Sequence, residues 1–186
     1  MNGRGSDGVQ IMSASEIHRT LVRLAHEIVE KRPELDRLAF VGIRRRGVPL
    51  ATRLAGKIQE IEGQAPRVGI LDIQLYRDDL SLVARQPVVN ATEIPFPVTD
   101  LDVVLVDDVL FTGRTARAAL NALFDHGRPA RVELLVLVDR GHRELPIEAQ
   151  YVGRRIPTSR DELVEVRLRE IDGEERVLRL PGGAGS

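Results

Sequence analysis

Hydrophobic residues follow two alternating patterns along the chain. Short, nearly continuous apolar runs are typical of strands buried on both faces, and between them apolar residues recur at helical spacing. The apolar runs lie at Leu38–Ile43, Val68–Ile73, Leu101–Val106 and Val132–Val138. This alternation predicts a doubly wound α/β fold with a central, mostly parallel sheet flanked by helices.

Three helices are predicted between these runs. Ser13 and Glu16 have the spacing of a capping box, so the first helix should begin there and end near Pro33. Two further helices are predicted over Val48–Ile61 and Thr115–His126. Each of these two is followed by a glycine suited to ending a helix, at Gly63 and Gly127.

The remaining segments set the domain boundaries. Residues 1–12 are predicted to form a disordered leader, residues 13–180 a single domain, and residues 181–186 a frayed tail. The polar stretch 76–97 holds three prolines, and an irregular segment of this length is often a functional lid. Three shorter strands are predicted near the C-terminus, at Gln150–Val152, Leu163–Arg169 and Arg176–Leu180.

Polar residues cluster where three of the buried strands end. In sheets of this kind, ligands bind beyond the carboxyl ends of the strands. The clusters are Arg44–Gly47, Asp107–Thr115 and Asp139–Arg143. We therefore expect them to converge on one crevice.

The cluster at Asp107–Thr115 carries the clearest chemistry. The free N–H groups and dipole at the start of the following helix favour an anion, and Gly113 lets the backbone approach it closely. Asp107 and Asp108 can accept hydrogen bonds from neighbouring hydroxyls, so a sugar phosphate satisfies both halves of the cluster. The alternatives are a generic strand end with a helix cap, or a metal site at the two carboxylates.

Composition narrows the class of protein. The chain has 186 residues, of which 42% are hydrophobic and 30% charged, and a net charge of −1, as expected for one globular domain. The absence of cysteine excludes disulfides, thiolate metal sites and a cysteine nucleophile, and is typical of a cytoplasmic protein. No apolar run approaches the roughly 20 residues of a membrane helix.

The segment Val103–Thr115 resembles the motif of type I phosphoribosyltransferases that binds 5-phosphoribosyl-1-pyrophosphate (PRPP). The resemblance implies the type I phosphoribosyltransferase fold, with a small hood and a flexible lid loop. It implies that Asp107 and Asp108 hold the ribose hydroxyls. It also implies a loop for the 5-phosphate, made of Thr112, Gly113, Arg114 and Thr115.

Three further segments are similar to the bacterial pyrimidine-operon attenuation regulators, a family that doubles as uracil phosphoribosyltransferases. They are Val41–Gly47, Leu71–Leu80 and Val138–Ser159, and the likeness runs from about Ser13 to Glu170. It implies that uracil and PRPP give UMP and pyrophosphate. It also implies Mg²⁺ bound mainly through PRPP and pyrophosphate, so no residue is assigned as a metal ligand.

The same resemblance assigns contacts with pyrophosphate. These are Arg45, Arg46 and Gly47 after the first strand, and Arg77 in the lid. Arg45 departs from the family, because a small hydroxyl residue is expected there. The alternatives are a solvated basic turn for the first group, and a surface ion pair with a neighbouring aspartate for Arg77.

Arg140 and His142 follow the fourth buried strand, where the resemblance implies the uracil pocket. The alternative is a structural turn, because base contacts in such pockets often come from the backbone.

The family also binds the leader of pyrimidine-operon mRNA, with UMP or UTP tuning the affinity. The matching basic positions are Arg23, His26, Arg143 and Arg154. Two positions depart from the family: Val22 replaces an expected hydroxyl residue, and Glu148 replaces an expected basic one. A carboxylate facing phosphate is repelled, so these departures argue against full RNA function.

Two hypotheses from different classes follow. The first is an enzyme, a uracil phosphoribosyltransferase that also regulates transcription attenuation. The second is a purely regulatory RNA-binding protein that senses UMP or UTP with vestigial catalysis. Within the enzyme class, a purine or orotate phosphoribosyltransferase shares the PRPP motif but not Val138–Ser159. The family also implies a homo-oligomer, dimeric or higher.

Overall fold

The computed structural model describes residues 8–76 and 91–182. The strands are β1 (Val9–Ser13), β2 (Leu38–Ile43), β3 (Arg67–Leu71), β4 (Asp102–Leu110), β5 (Arg131–Asp139), β6 (Tyr151–Arg155), β7 (Leu163–Arg167) and β8 (Arg176–Leu180). The helices are α1 (Ala14–Lys31), α2 (Gly47–Glu62), α3 (Arg114–Phe124) and α4 (Arg169–Asp172), with a 3-10 turn at Gln74–Tyr76. Among the described residues, no helix is long and apolar enough to cross a membrane.

Five of the strands form one parallel sheet in the order β3-β2-β4-β5-β6. This arrangement confirms the predicted α/β architecture, and it puts β4 in the centre. The apolar residues Val103–Val106 of β4 are at most 1% exposed. The strand continues to Leu110, four residues beyond the apolar run that predicted it, so Asp107 and Asp108 belong to the strand itself.

Two hydrophobic clusters cover the two faces of this sheet. One face packs against α1 and α2, through residues such as Leu24 and Leu54. The other face packs against α3, through residues such as Ala119 and Leu123. Helices on both faces explain why the three central strands β2, β4 and β5 are nearly continuous apolar runs rather than alternating patterns.

The helix signals are confirmed at two of three helices. At α1, Ser13 Oγ accepts from the Glu16 N–H (3.3 Å) and the Ser13 N–H donates to Glu16 Oε2 (2.8 Å), so the capping box is complete. At α2, Gly63 ends the helix in the left-handed conformation. At α3 the prediction was wrong: Asp125 is the C-cap, and Gly127 lies in the loop beyond it.

A second, smaller sheet contains the antiparallel strands β1, β8 and β7. With α4 it forms the hood, which is composed of residues 9–13 and 163–180. The prediction of a disordered leader through residue 12 was wrong at its end, because Val9–Ser13 pairs with β8 and Met12 is fully buried. Residues 1–7 and 183–186 lie outside the described residues.

The predicted lid at 76–97 lies partly outside the described residues, at 77–90. Its two described flanks are attached to the rest of the domain. The Tyr76 hydroxyl donates to Asp125, just past α3. On the other side, Glu93 pairs with Ile70 of β3, and Thr92 Oγ1 accepts from the Asp72 N–H (3.0 Å).

A pair of glycine variants tests how α1 packs on the sheet. A Cβ at Gly153 in β6 would lie 2.3 Å from the Leu137 oxygen and 2.8 Å from Thr20 Cγ2 of α1, whereas a Cβ at Gly56 in α2 meets nothing within 4 Å. Gly153→Ala should therefore lower the free energy of unfolding by about 1–3 kcal/mol. Gly56→Ala should raise it by about 0.5–1 kcal/mol, since alanine favours the helix.

Urea denaturation of both variants beside the unchanged protein measures these effects. A Gly153→Ala protein of unaltered stability would contradict the close contact between α1 and β6.

Candidate active site

A cavity of about 370 Å³ lies at the carboxyl end of β4. The end of β4, the loop after it and the first turn of α3 form most of its wall, and β5 and the loop after β5 complete it. The lining residues include Asp107, Phe111, Thr112, Gly113, Thr115, Val136 and Glu144.

The three polar clusters predicted from the strand ends lie next to one another at the carboxyl end of β4. Gly47 lies against β4 so closely that a Cβ there would be 2.1 Å from the Val106 oxygen. From the loop after β5, the Arg140 N–H donates to Leu110 O (3.1 Å), and the Glu144 N–H donates to Thr112 O (2.9 Å). The clusters are thus neighbours, but only Asp107–Thr115 lines this cavity, while Asp139–Arg143 lines a separate cleft and Arg44–Gly47 lines neither.

Backbone hydrogen bonds fix the two carboxylates at the end of β4. Asp107 Oδ1 accepts from the Asp108 N–H, and Asp108 Oδ1 accepts from the Val109 N–H, both at 2.9 Å. Both side chains are half-buried, and Asp107 lines the cavity. Since each carboxylate has two oxygens with several lone pairs, these bonds leave acceptor capacity for hydroxyl groups of a ligand.

The loop after β4 presents the start of α3 to the cavity. Gly113 is the N-cap in the left-handed conformation (φ 91°), which glycine adopts without strain. Thr112 Oγ1 accepts from the Arg114 N–H (3.3 Å), whereas Gly113 at the N-cap has no side chain to accept from the N–H groups that follow. The backbone N–H groups of the first turn and the helix dipole therefore make this end of α3 suited to an anion.

Arg114 contributes to this loop through its backbone, because its guanidinium is engaged elsewhere. Its Nε donates to Glu144 Oε2 (2.9 Å), and Arg160 donates to the other oxygen of the same carboxylate. The bonds from Arg114 and Arg160 outweigh burial and lower the pKa of Glu144 below its ordinary value. Glu144 therefore stays charged and ties the anion loop to the segment around Arg160.

Sequence reasoning missed Glu144 and Phe111 as residues of the site. Phe111 lines the cavity, and the Arg140 guanidinium lies 4.0 Å from the centre of its ring. His142 meets the same ring edge-on, with centroids 5.9 Å apart. A lone phenylalanine and a lone glutamate give no pattern in a sequence, so only the fold shows their role.

Arg140 and His142 line a neighbouring open cleft of about 470 Å³. Arg140 is 4% exposed and donates to Ser159 O (3.0 Å), and burial lowers the pKa of its guanidinium. A ring nitrogen of His142 lies 2.7 Å from Thr158 O. Both side chains thus fasten the segment 158–160 beside Phe111, which is the contact expected of a structural turn at the edge of a pocket.

Arg143 differs from its predicted position on a solvent-facing basic surface. Its side chain is 16% exposed and donates to Asp139 Oδ2 (2.7 Å), Phe111 O (2.9 Å) and Ile147 O (2.9 Å). Burial of Asp139 favours its neutral form, but the hydrogen bonds from Arg143 and the Gly141 N–H outweigh burial and lower its pKa. Arg143 therefore braces the loop after β5 from within.

The other three residues of the predicted RNA surface lie along α1 and β6. Arg23 is 52% exposed and donates to the carbonyls of Val152 (3.2 Å) and Gly153 (2.7 Å). His26 is exposed one turn further along α1. Arg154 donates to Ile11 O and to Glu16 (3.1 Å), and its side chain is 39% exposed.

The residues predicted to contact pyrophosphate differ in their surroundings. Arg45 is exposed, Gly47 is buried, and Arg77 lies outside the described residues. Arg46 donates through Nε (3.2 Å) and Nη2 (2.7 Å) to Asp172 of the hood, which raises the pKa of its guanidinium. Neighbouring Arg44 donates to Ala91 O (2.9 Å), next to the predicted lid.

The described residues offer no complete set of protein ligands for a metal ion. Within residues 8–76 and 91–182, no group of three or more histidines and carboxylates could hold a metal ion. Mg²⁺ usually keeps several waters and binds substrate phosphates with the help of one or two carboxylates. The carboxylates at the end of β4 have the hard oxygen donors that such an ion accepts.

The chain matches known proteins in sequence and in fold. The family model "Phosphoribosyl transferase domain" matches residues 10–167. The "Bifunctional protein PyrR" of Pelotomaculum thermopropionicum is 62% identical over 171 residues, which cover 92% of this chain and 94% of the relative. The protein of the same name from Deinococcus radiodurans is 58% identical over 168 residues, covering 90% and 91%.

Solved structures show the same fold in more distant proteins. A hypoxanthine phosphoribosyltransferase of Staphylococcus aureus superposes with a TM-score of 0.70 at 20% identity, covering 97% of this chain and 95% of the other. The predicted type I phosphoribosyltransferase fold is thereby confirmed. The chain belongs to the phosphoribosyl transferase family and, within it, to the bifunctional PyrR proteins.

Proposed function

We propose that this protein is a uracil phosphoribosyltransferase that also regulates pyrimidine biosynthesis by nucleotide-dependent binding to the leader of pyrimidine-operon mRNA. The observation that carries the enzymatic part is that two features lie side by side at the end of β4. One is the pair of carboxylates of Asp107 and Asp108, and the other is the start of α3 with Gly113 as its N-cap. The relatives named bifunctional, at 58–62% identity, support both parts.

The geometry suits PRPP in one orientation. The 5-phosphate accepts hydrogen bonds from the first-turn N–H groups of α3 and from the hydroxyls of Thr112 and Thr115. The ribose hydroxyls donate to Asp107 and Asp108. The pyrophosphate then extends toward the loop Arg44–Gly47, which packs directly against the end of β4.

The reaction forms a bond between the ribosyl carbon and a uracil nitrogen while the bond between that carbon and pyrophosphate breaks. The uracil nitrogen gives up its proton to the departing pyrophosphate or to water. Positive charge develops on the ribose as the bond to pyrophosphate breaks, and the carboxylates beneath the ring stabilise that charge. The cationic loop stabilises the departing pyrophosphate. Little covalent work falls to the protein, so alignment of the base with the ribosyl carbon supplies much of the rate.

When bound together with PRPP, Mg²⁺ would neutralise part of the charge on pyrophosphate. Asp107 and Asp108 are the residues that would help to hold it, through water or directly. The protein's own contribution is to fix these two carboxylates through the Asp108 and Val109 N–H groups.

The base site is proposed at the cleft beside Phe111, between the loop after β5 and residues 158–160. Arg140 and His142 hold two sides of this segment in place. Backbone N–H and C=O groups are then available to read the edge of a pyrimidine, as is common in such pockets.

The regulatory part is proposed for the surface formed by α1 and β6. Arg23, His26 and Arg154 are partly or fully exposed there, and phosphate binding requires several cations on one surface. Glu148 lies 3.5 Å from Arg143 and reduces the positive charge near that residue. We further propose a cytoplasmic homo-oligomer, because mRNA and PRPP are cytoplasmic and the family assembles.

UMP synthesis with a panel of bases tests the enzymatic proposal. Uracil with PRPP and Mg²⁺ should give UMP, while hypoxanthine, guanine and orotate should give no product. Removal of Mg²⁺ with EDTA should abolish the reaction, and added Mg²⁺ should restore it. A protein that binds UMP but turns over none of the four bases would instead be a nucleotide-sensing regulator.

The double variant Asp107→Asn, Asp108→Asn tests the PRPP site. It should lower kcat/KM for PRPP at least about 100-fold, because two charge-assisted hydrogen bonds are lost while the shape of both side chains is kept. Asp102→Asn, at the opposite end of β4, is the matched control and should keep its activity. Circular dichroism checks the fold, and an active double variant would refute the assignment.

Arg23→Gln tests the proposed RNA surface. It should weaken binding of a pyrimidine-operon leader transcript in the presence of UMP, and reduce the salt dependence by about one counterion, while UMP synthesis continues unchanged. Lys57→Gln removes the same charge from α2 and is the matched control. Filter binding at several salt concentrations measures both, and equal behaviour of the two variants would place the RNA elsewhere.

A further inference from the structure

Two arginines, one at the N-cap of α2 and one within α2, bind carboxylates of the hood. Arg46 and Arg53 are seven residues apart, which is close to two helical turns, so both point to the same side. Arg46 donates through Nε and Nη2 to Asp172 (3.2 and 2.7 Å). Arg53 donates in the same two-pronged way to Glu170 (2.7 Å for each bond) and also to Glu175.

These two contacts are alike in chemistry but differ in their distance from the active site. Arg46 is the N-cap of α2 and belongs to the loop that approaches β4 at Val106. The hydrogen bond with Asp172 and, to a smaller extent, the charge of Asp108 raise the pKa of its guanidinium. Arg53 lies about 10 Å further along the helix axis, where its partners are carboxylates of the hood.

Asp172 is itself held in place. Its Oδ2 accepts from the Leu168 N–H at the start of α4 (2.8 Å), and its side chain is 18% exposed. The hydrogen bond from Arg46 lowers the pKa of its carboxyl, so Asp172 is charged at neutral pH. A backbone group of the hood thus orients Asp172, and Asp172 in turn orients Arg46.

The geometry of this contact leaves part of the guanidinium available. A two-pronged bond through Nε and Nη2 fixes the plane of the group, while Nη1 is not used by Asp172. An arginine held in this way loses little side-chain entropy when it binds an anion. A freely moving arginine would lose that entropy on every binding event.

We infer that Asp172 is a positioning residue for pyrophosphate: it holds Arg46 so that the unused edge of the guanidinium meets the anion beside Asp108. The inference rests on the proposed phosphoribosyl transfer. Asp172 acts through Arg46 and contacts neither substrate. Its role therefore concerns PRPP and pyrophosphate and leaves uracil unaffected.

Calorimetry with magnesium pyrophosphate, together with steady-state kinetics, tests this role. Asp172→Asn should raise the Kd for pyrophosphate and the KM for PRPP about tenfold, because the charged two-pronged contact is lost. The KM for uracil should stay within about twofold. Asp172→Glu, which keeps the charge on a longer side chain, should recover part of the affinity.

Glu170→Gln is the matched control. It removes a carboxylate from the same short helix α4 and weakens the same kind of arginine contact, but at Arg53. It should leave the Kd for pyrophosphate within about twofold of the unchanged protein. Thermal unfolding of both variants measures how far each loosens the hood.

Three outcomes would overturn the inference. Equal losses in Asp172→Asn and Glu170→Gln would mean that Asp172 only docks the hood. Tighter pyrophosphate binding by Asp172→Asn would mean that Asp172 competes with the anion for Arg46. An unchanged Kd and KM would mean that Arg46 needs no such support.

The proposed activity and the role of Asp172 can be refuted independently of each other. If the unchanged protein makes no UMP but Asp172→Asn still weakens pyrophosphate binding, the uracil activity is refuted while the role of Asp172 stands.

Discussion

Burial of β4 on both faces is the constraint on which the site depends. Its residues Val103–Val106 are covered by α1 and α2 on one side and by α3 on the other. A slip of one residue would exchange the two faces, so the register is strongly fixed. Asp107 and Asp108 therefore emerge at a defined point, and Gly47 can lie against the strand because no side chain intervenes.

Arginine–carboxylate contacts extend this constraint from the strand to the loops around it. Arg46 joins the loop Arg44–Gly47 to Asp172, Arg114 joins the loop after β4 to Glu144, and Arg143 joins the loop after β5 to Asp139. The Arg46–Asp172 and Arg143–Asp139 pairs are largely shielded from water, so loss of one partner leaves the other charge poorly solvated. The contacts of Arg114 and Arg143 therefore fix the loops through carboxylates and carbonyl groups of the protein itself.

The strands and helices that depend on local patterns or on buried apolar runs could be predicted from the sequence. The predictions were wrong where contacts with residues distant in the sequence determine the structure. Val9–Ser13 is a strand because it pairs with β8. Gly127 is not the C-cap of α3, because the helix ends earlier, at Phe124. Arginine is usually exposed, but the side chain of Arg143 is largely buried because it donates hydrogen bonds to Asp139 and to three carbonyl oxygens.

The shared fold separates sugar chemistry from the choice of base. Hypoxanthine phosphoribosyltransferases keep this fold at 18–20% identity, so the architecture around β4 does not select the base. Under the proposed function, selection of the base would fall to the segment after β5, where Phe111 from the loop after β4 meets Arg140 and His142. That segment is tied to the sheet through buried Asp139, whose Oδ1 accepts from the Gly141 N–H. A change of base specificity should therefore require repacking around Phe111 rather than changes at the carboxylates.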